Sequence, residues 1–192
     1  MPLPLKLKII EDTPIGPVGI AWGEIGGEPL VVRVLLPEAV PDPGTEEGSC
    51  PGIEETAEAL RGILAGNPVE VPLETTALEL LTPFRQAVLR ATARIPRGEV
   101  NTYGGLARSL GRERAARAVG NALAANPFPL IIPCHRVIRS DGTIGGFTGG
   151  EGIKRRLLEL EEIHFDGSRV AQAFLPVRRP GTDRNAGAAE TL

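Results

Sequence analysis

The stretch IIPCHRVI, residues 131–138, sets Cys134 against His135 inside an apolar run, with the permanently charged Arg136 next in line. A thiol beside an imidazole is the minimum equipment for nucleophilic catalysis. The thiolate is what attacks, and an ordinary cysteine with a pKa of about 8.5 supplies only a few per cent of it at neutral pH. His135 is one of two histidines in the chain, the other being His164. Neighbours on an extended chain point to opposite faces, so contact between Cys134 and His135 requires a bend after Pro133 or a bridging water. The imidazole also needs an acceptor to orient it, and Glu161 is the best-placed carboxylate. Against this stands the commoner fate of a cysteine in an apolar run, a small buried hydrophobe. The pair alone leaves both readings open.

The elements that must position this pair fall into two grammars. Leu5, Leu7 and Ile9 alternate with Lys6 and Lys8, VGIAW and LVVRVLL read as two further strands, and EIGGE is a hairpin turn between them. PEAVPDPGTEEGSCPG, 37–52, holds neither period and reads as a loop. Ile53, Ala57, Leu60 and Leu64 then share one helical face, which Gly66 ends. From Thr82-Pro83, a cap followed by proline at the first helical position, the chain turns helical through Phe84, Val88 and Ala91. Asn101-Thr102 caps a short helix carrying Tyr103, Leu106 and Leu110, Gly111 stops it, and another helix is expected over roughly 113–124.

Two short helices around a glycine turn make a helix-turn-helix candidate. At about 100° per residue, Ala116, Val119 and Leu123 gather on one side of the second helix. Arg114, Arg117 and Asn121 surround the small Ala118 on the other, a face able to lie close against a nucleic-acid groove. Pro127, Pro129 and Pro133 forbid a helix through NPFPLIIPCHRVI, which is expected to run as a bent strand. RSDGTIGGFTGGEG is a glycine-rich loop without the Gly-Lys-Ser/Thr ending of a phosphate loop. A last helix starts at about 151, with Ile153, Leu157 and Leu160 as its apolar stripe and Glu161 bordering it, where a carboxylate needs a partner.

With 192 residues, 42% hydrophobic and 23% charged, the chain can build one sizeable domain or two small ones without staples. No apolar run approaches the ~20 residues that span a bilayer and no signal-peptide block is present, so a cytoplasmic protein without membrane attachment is expected. Cys50 and Cys134 are not expected to pair in that compartment, and the Cys/His spacing offers no zinc site. Charge is unevenly spread. Residues 1–82 carry 4 basic and 14 acidic groups, whereas 83–156 carry 13 basic and 4 acidic, a net +9. Such a block suits an anionic partner, and a solvated arginine-rich surface is the plain alternative.

IPCHRV, within NPFPLIIPCHRVI and together with TYGGLA, RAVGNALAANP and GGFTGG, closely resembles the O6-alkylguanine-DNA alkyltransferases, also called methylated-DNA–protein-cysteine methyltransferases. Pro-Cys-His-Arg-Val is that family's signature, and the match covers about residues 82–162 in order and spacing; TPIGPVGIAW looks like its first domain. The resemblance implies an α+β protein with a small N-terminal ribonuclease H-like α/β domain over 1–81. It implies next a helical C-terminal domain with a winged helix-turn-helix over 82–175, then a tail, 176–192, expected to be disordered. It implies Cys134 as the alkyl acceptor, His135 activating it through water, Glu161 holding His135, and Asn126 ordering the turn. Tyr103 would press on the target nucleotide's 3′ phosphate and reach guanine N3. Arg117 would intercalate where the flipped base was, and Arg114, Asn121 and Ala118 complete the DNA face. Phe147, Thr148 and Val137 would line the base pocket with Cys134. Phe147 departs from the tyrosine frequent in the family, so no hydroxyl contact is expected there.

The implied reaction is a single transfer from O6-alkylguanine, and from O4-alkylthymine, in double-stranded DNA, by base flipping through the minor groove. No cofactor, metal or obligatory protein partner is implied, and a monomer is expected. Three rivals remain distinct: a non-repairing binder of alkylated DNA, a helix-turn-helix regulator with an incidental cysteine, and a multiple-turnover Cys-His hydrolase.

Overall fold

The computed structural model describes residues 4–41 and 48–171; the expected tail over 176–192 and part of the 37–52 loop lie outside them. Alternation in the first third produces an antiparallel sheet of β1 (Lys6–Ile10), β2 (Val18–Ile25) and β3 (Glu28–Leu35), with β2 central and a register shift between Ala21 and Trp22. Its buried face meets α1 (Pro51–Leu64), whose Ile53, Ala57, Leu60 and Leu64 point inward as the period requires. Leu5 does not join that face. It lies before the strand and is 53% exposed, because the buried positions of β1 are Leu7 and Ile10.

The remainder is helical, with short strand pairs as ties. α2 (Pro83–Ala93) buries Val88, Leu89 and Thr92, while Phe84 and Ala91 are only half-buried. β4 (Asn101–Thr102) runs straight into α3 (Tyr103–Ser109), where the Thr102 hydroxyl accepts from Gly105 N as an N-cap. After the turn at Gly111 comes α4, which occupies Ala116–Ala124 rather than starting near 113. Arg114 therefore sits in the turn before the helix. β5 (Val137–Ile138) pairs in parallel with β4, and α5 (Gly150–Leu160) and a small hairpin, β6 (Phe165–Asp166) with β7 (Arg169–Val170), close the described chain.

One apolar core runs from Ile10 and Trp22 in the sheet through Leu60 and Leu89 to Phe128, Ile132 and Leu157, so the architecture is a mixed α/β fold built on a shared interior. Backbone bonds stitch strand β3 to later segments of the chain: Ala77 N donates to Val31 O and Val34 N to Pro127 O, both at 2.8 Å. Residues 131–136 are not the expected bent strand. Cys134–Arg136 forms a 3-10 turn after Pro133, and extended backbone resumes only at Val137. The prolines excluded an α-helix, but a single tight turn needs fewer backbone donors and survives beside Pro133.

Candidate active site

The parallel β4–β5 pair places Asn101 opposite Val137 and Thr102 opposite Ile138. Tyr103, the first residue of α3, is thereby set next to the turn that carries Cys134. The thiol is 7% exposed and lies at the bottom of a cavity of about 330 Å3, walled by Tyr103, Leu123 and Ala124 and by the loop that includes Gly146, Phe147 and Thr148. Two glycines let that loop lie so close. Gly145 has φ +75° and a Cβ there would meet the Tyr103 hydroxyl at 3.3 Å, and a Cβ on Gly149 would stand 2.7 Å from Leu36 Cδ1.

Asn126 pins the turn. Its amide nitrogen donates to Cys134 Sγ and to Ile132 O, each at 3.3 Å, and its carbonyl accepts from Phe128 N at 3.0 Å. Burial pushes the Cys134 thiol up from its ordinary value, opposed by the Asn126 hydrogen bond and the Lys154 charge. The lysine is wholly buried, with Nζ donating to Val137 O at 2.6 Å and to Gly146 O at 3.4 Å, and it lies 6.0 Å from the Tyr103 ring centre. Burial lowers Lys154 to about 8, against the pull of Cys134. Burial also raises the Tyr103 phenol, and the nearby thiolate adds to the effect.

Behind the turn sits a compact ionic cluster. His135 Nε2 is 2.9 Å from Glu161 Oε1, and Arg136 clamps the same carboxylate through Nε at 2.9 Å to Oε2 and Nη2 at 2.8 Å to Oε1. Arg136 Nη1 reaches Ile95 O. Burial alone would raise Glu161, but hydrogen bonds from His135 and Arg136, with the Arg136 charge, hold it down to about 2. Burial keeps His135 below its ordinary value despite Glu161, so it is neutral at pH 7. An ionised carboxylate can only accept, which assigns the proton to His135 Nε2 and leaves a lone pair on Nδ1. Nδ1 is buried without a hydrogen-bond partner among the described residues.

The structure therefore brings Cys134, His135, Glu161, Asn126, Tyr103, Phe147 and Thr148 around one turn and one cavity. Arg117, Ala118 and Asn121 lie exposed on the outer face of α4, with Arg114 exposed in the preceding turn. Val137 is placed differently: its side chain is fully buried outside the cavity, and only its carbonyl serves the site, through Lys154. Glu161 is the C-cap of α5 rather than part of its stripe. Sequence reasoning missed Lys154. The signal was there, since Lys154 stands three and four residues before Leu157 and Leu158, squarely on the buried face.

Fold and site together define a class: a mixed α/β protein that holds a hydrogen-bonded thiol under a pocket roofed by the inner end of an exposed, arginine-bearing helix. The family model for the 6-O-methylguanine DNA methyltransferase DNA-binding domain matches residues 83–163. A methylated-DNA–protein-cysteine methyltransferase of Methanothermobacter thermautotrophicus is 36% identical over 154 residues, covering 80% of this chain and 84% of its own. A Thermus thermophilus DNA base-flipping protein is 40% identical over 152 residues, 78% of this chain and 95% of that one. The crystal structure of Mycobacterium tuberculosis OGT in complex with DNA superimposes with a TM-score of 0.66 at 35% identity, covering 82% of this chain and 93% of that chain. The chain belongs to the methylated-DNA–protein-cysteine methyltransferase family.

Proposed function

We propose that the protein repairs O6-alkylguanine in double-stranded DNA by moving the alkyl group onto Cys134, once per molecule. The observation that carries this reading is the Cys134 thiol facing a cavity while Asn126, Lys154 and the His135–Glu161 pair surround it. In the reaction His135 Nδ1 takes the thiol proton through one water, which gives that buried lone pair its missing partner. Glu161 keeps the imidazole in the required tautomer and stabilises it when it charges. Lys154 and the Asn126 amide stabilise the thiolate as it forms. Attack at the alkyl carbon expels guanine, and a hydrogen bond from Tyr103 to guanine N3 steadies the developing anion. The thioether product has no carbonyl for water to attack, so the transfer ends the protein's working life.

The finer anatomy belongs to the same reading. Residues 1–81 form a ribonuclease H-like domain and 82–175 a DNA-binding domain in which α3 and α4 are the helix-turn-helix and the last hairpin its wing. The face of Arg117, Ala118 and Asn121, with Arg114, meets the minor groove, and Arg117 fills the gap left by the flipped base. O4-alkylthymine is a second substrate. The protein acts as a monomer in the cytoplasm; among the described residues no helix is long and apolar enough to cross a membrane.

The Thermus relative's name favours a second reading, base flipping without transfer. Cys134 in the cavity floor decides for transfer. Intact mass after incubation with a duplex containing O6-methylguanine tests both: one adduct of about 14 Da on Cys134 and none in Cys134→Ser are expected. Tight binding without an adduct would establish the second reading, and repeated turnover would point to a hydrolase.

A further inference from the structure

A second cavity, about 380 Å3, adjoins the one that holds Cys134. The two share Ala124 and Thr148, and the Thr148 hydroxyl donates to Ala124 O across 3.2 Å, so one exposed hydrogen bond forms the partition. Asn126 lines this second chamber while its amide nitrogen touches Cys134 Sγ, so a single side chain separates chamber from nucleophile. The outer wall comes from the end of β3 and the turn after it, held against the pocket loop where Leu36 approaches Gly149. A transferred methyl group would leave this space unused.

The chamber's polar lining is predominantly cationic. Arg33 and Arg85 both contribute to it, against one carboxylate, Glu38; Arg33 and Glu38 are both exposed. Arg85 donates to Ala125 O through Nη2, but its Nε is buried and has no partner among the described residues. That nitrogen has no open surface, so Arg33, which is exposed, carries the charge that a ligand in the chamber meets. Apolar walls with a few convergent polar groups are the usual make-up of a small-molecule subsite.

We infer that this chamber is a subsite for O6-alkyl groups ending in a carboxylate: the alkyl arm passes Thr148, and the carboxylate meets the Arg33 guanidinium. This rests on the transfer reading above. The chemical step is unchanged. The Cys134 sulfur–carbon bond forms as the carbon–O6 bond breaks, the electron pair leaves on guanine O6, and the thiol proton ends on N1 of the guanine.

Single-turnover transfer from three duplexes tests it, carrying O6-methylguanine, O6-(carboxybutyl)guanine and the carboxamide analogue of the latter. Arg33→Ala should slow the carboxylate adduct on the order of tenfold, as expected for a lost charge-assisted hydrogen bond, and leave methyl transfer within about twofold. Ala39→Trp, at the exposed chamber wall, should slow both long adducts and spare methyl. Arg33→Ala slowing all three duplexes alike would overturn the subsite and make Arg33 a DNA-phosphate contact, and unchanged long-adduct rates in Ala39→Trp would also overturn it. If the wild-type protein took up no methyl group at all, the transfer reading would fall first, a result distinct from either of these.

Discussion

Glu161 and Lys154 are both buried charges beside the Cys134–Arg136 turn, satisfied to different degrees. Glu161 accepts from the neutral His135 imidazole and the Arg136 guanidinium in good geometry, and its pKa drops to about 2. Among the described residues Lys154 donates only to two backbone carbonyls, one of them at 3.4 Å, and its pKa drops as well, to about 8. The same direction means opposite things. For the acid a lowered pKa records a stabilised charge, and for the base it records a charge that burial disfavours. The anion is held by its partners, and the cation is one that a neighbouring thiolate would favour.

Glu161→Gln should break this contrast most severely. It leaves Arg136 without its buried counter-charge and turns one of the two acceptor oxygens into a donor, so a loss of ~3–5 kcal/mol in a denaturant titration is expected. Transfer should slow at least a hundredfold in the protein that still folds, roughly the weight of a general base. A near-normal denaturation midpoint would show that the cluster is not what fixes the turn.

The pH dependence sharpens the comparison. Glu161 has a folded value below its ordinary 4.5, so its contribution is complete above about pH 4.5 and lost as pH falls toward 2. Roughly 3 kcal/mol of acid sensitivity should therefore separate wild type from Glu161→Gln in that window. For Lys154 the unfolded chain holds more protons between pH 8 and 10.5, so stability relative to Lys154→Met should rise, not fall, across that interval. Thermal melts of the three proteins against pH would show it, and parallel curves for wild type and Lys154→Met would count against a cation that burial disfavours.

The smallest stability effect is expected of Lys154→Met at pH 7. The desolvation relieved offsets the hydrogen bond lost by Val137 O, so the change should stay within ~1 kcal/mol. Transfer should nonetheless slow about tenfold, with its pH profile moved to the alkaline side, because the thiolate loses a neighbouring positive charge. A large drop in stability with unchanged rate would make Lys154 a packing residue.

Much of this was legible in the sequence where a period or a cap spoke. α1 lies where Ile53, Ala57, Leu60 and Leu64 put it, α2 begins at Thr82-Pro83 with proline at its first position, and α3 begins behind the Thr102 cap. Glu161 stands out in the sequence as a carboxylate in need of a partner, and the partner is His135. The misses have physical reasons. Leu5 belongs to an alternating pattern that begins one residue before the strand does. The helix expected over 113–124 is shorter in the fold because Arg114 satisfies the outer-face pattern without being helical. Lys154 escaped because lysine is rarely buried whole, and the carbonyls that hold it come from residues 137 and 146, whose approach no local pattern announces. The Cys134 turn likewise depends on a tertiary tie, the Asn126 amide.

The bond from Val34 N to Pro127 O has a further consequence, outside catalysis. β3 is an outer strand of its sheet, and an unpaired outer strand is a template for adding another chain. Here Thr76, Ala77 and Pro127 occupy Val31 and Val34 along that edge. The segment that orders the nucleophile thus also guards the sheet. A molecule whose 126–134 segment came loose would expose an adhesive strand, linking loss of the reactive turn to self-association.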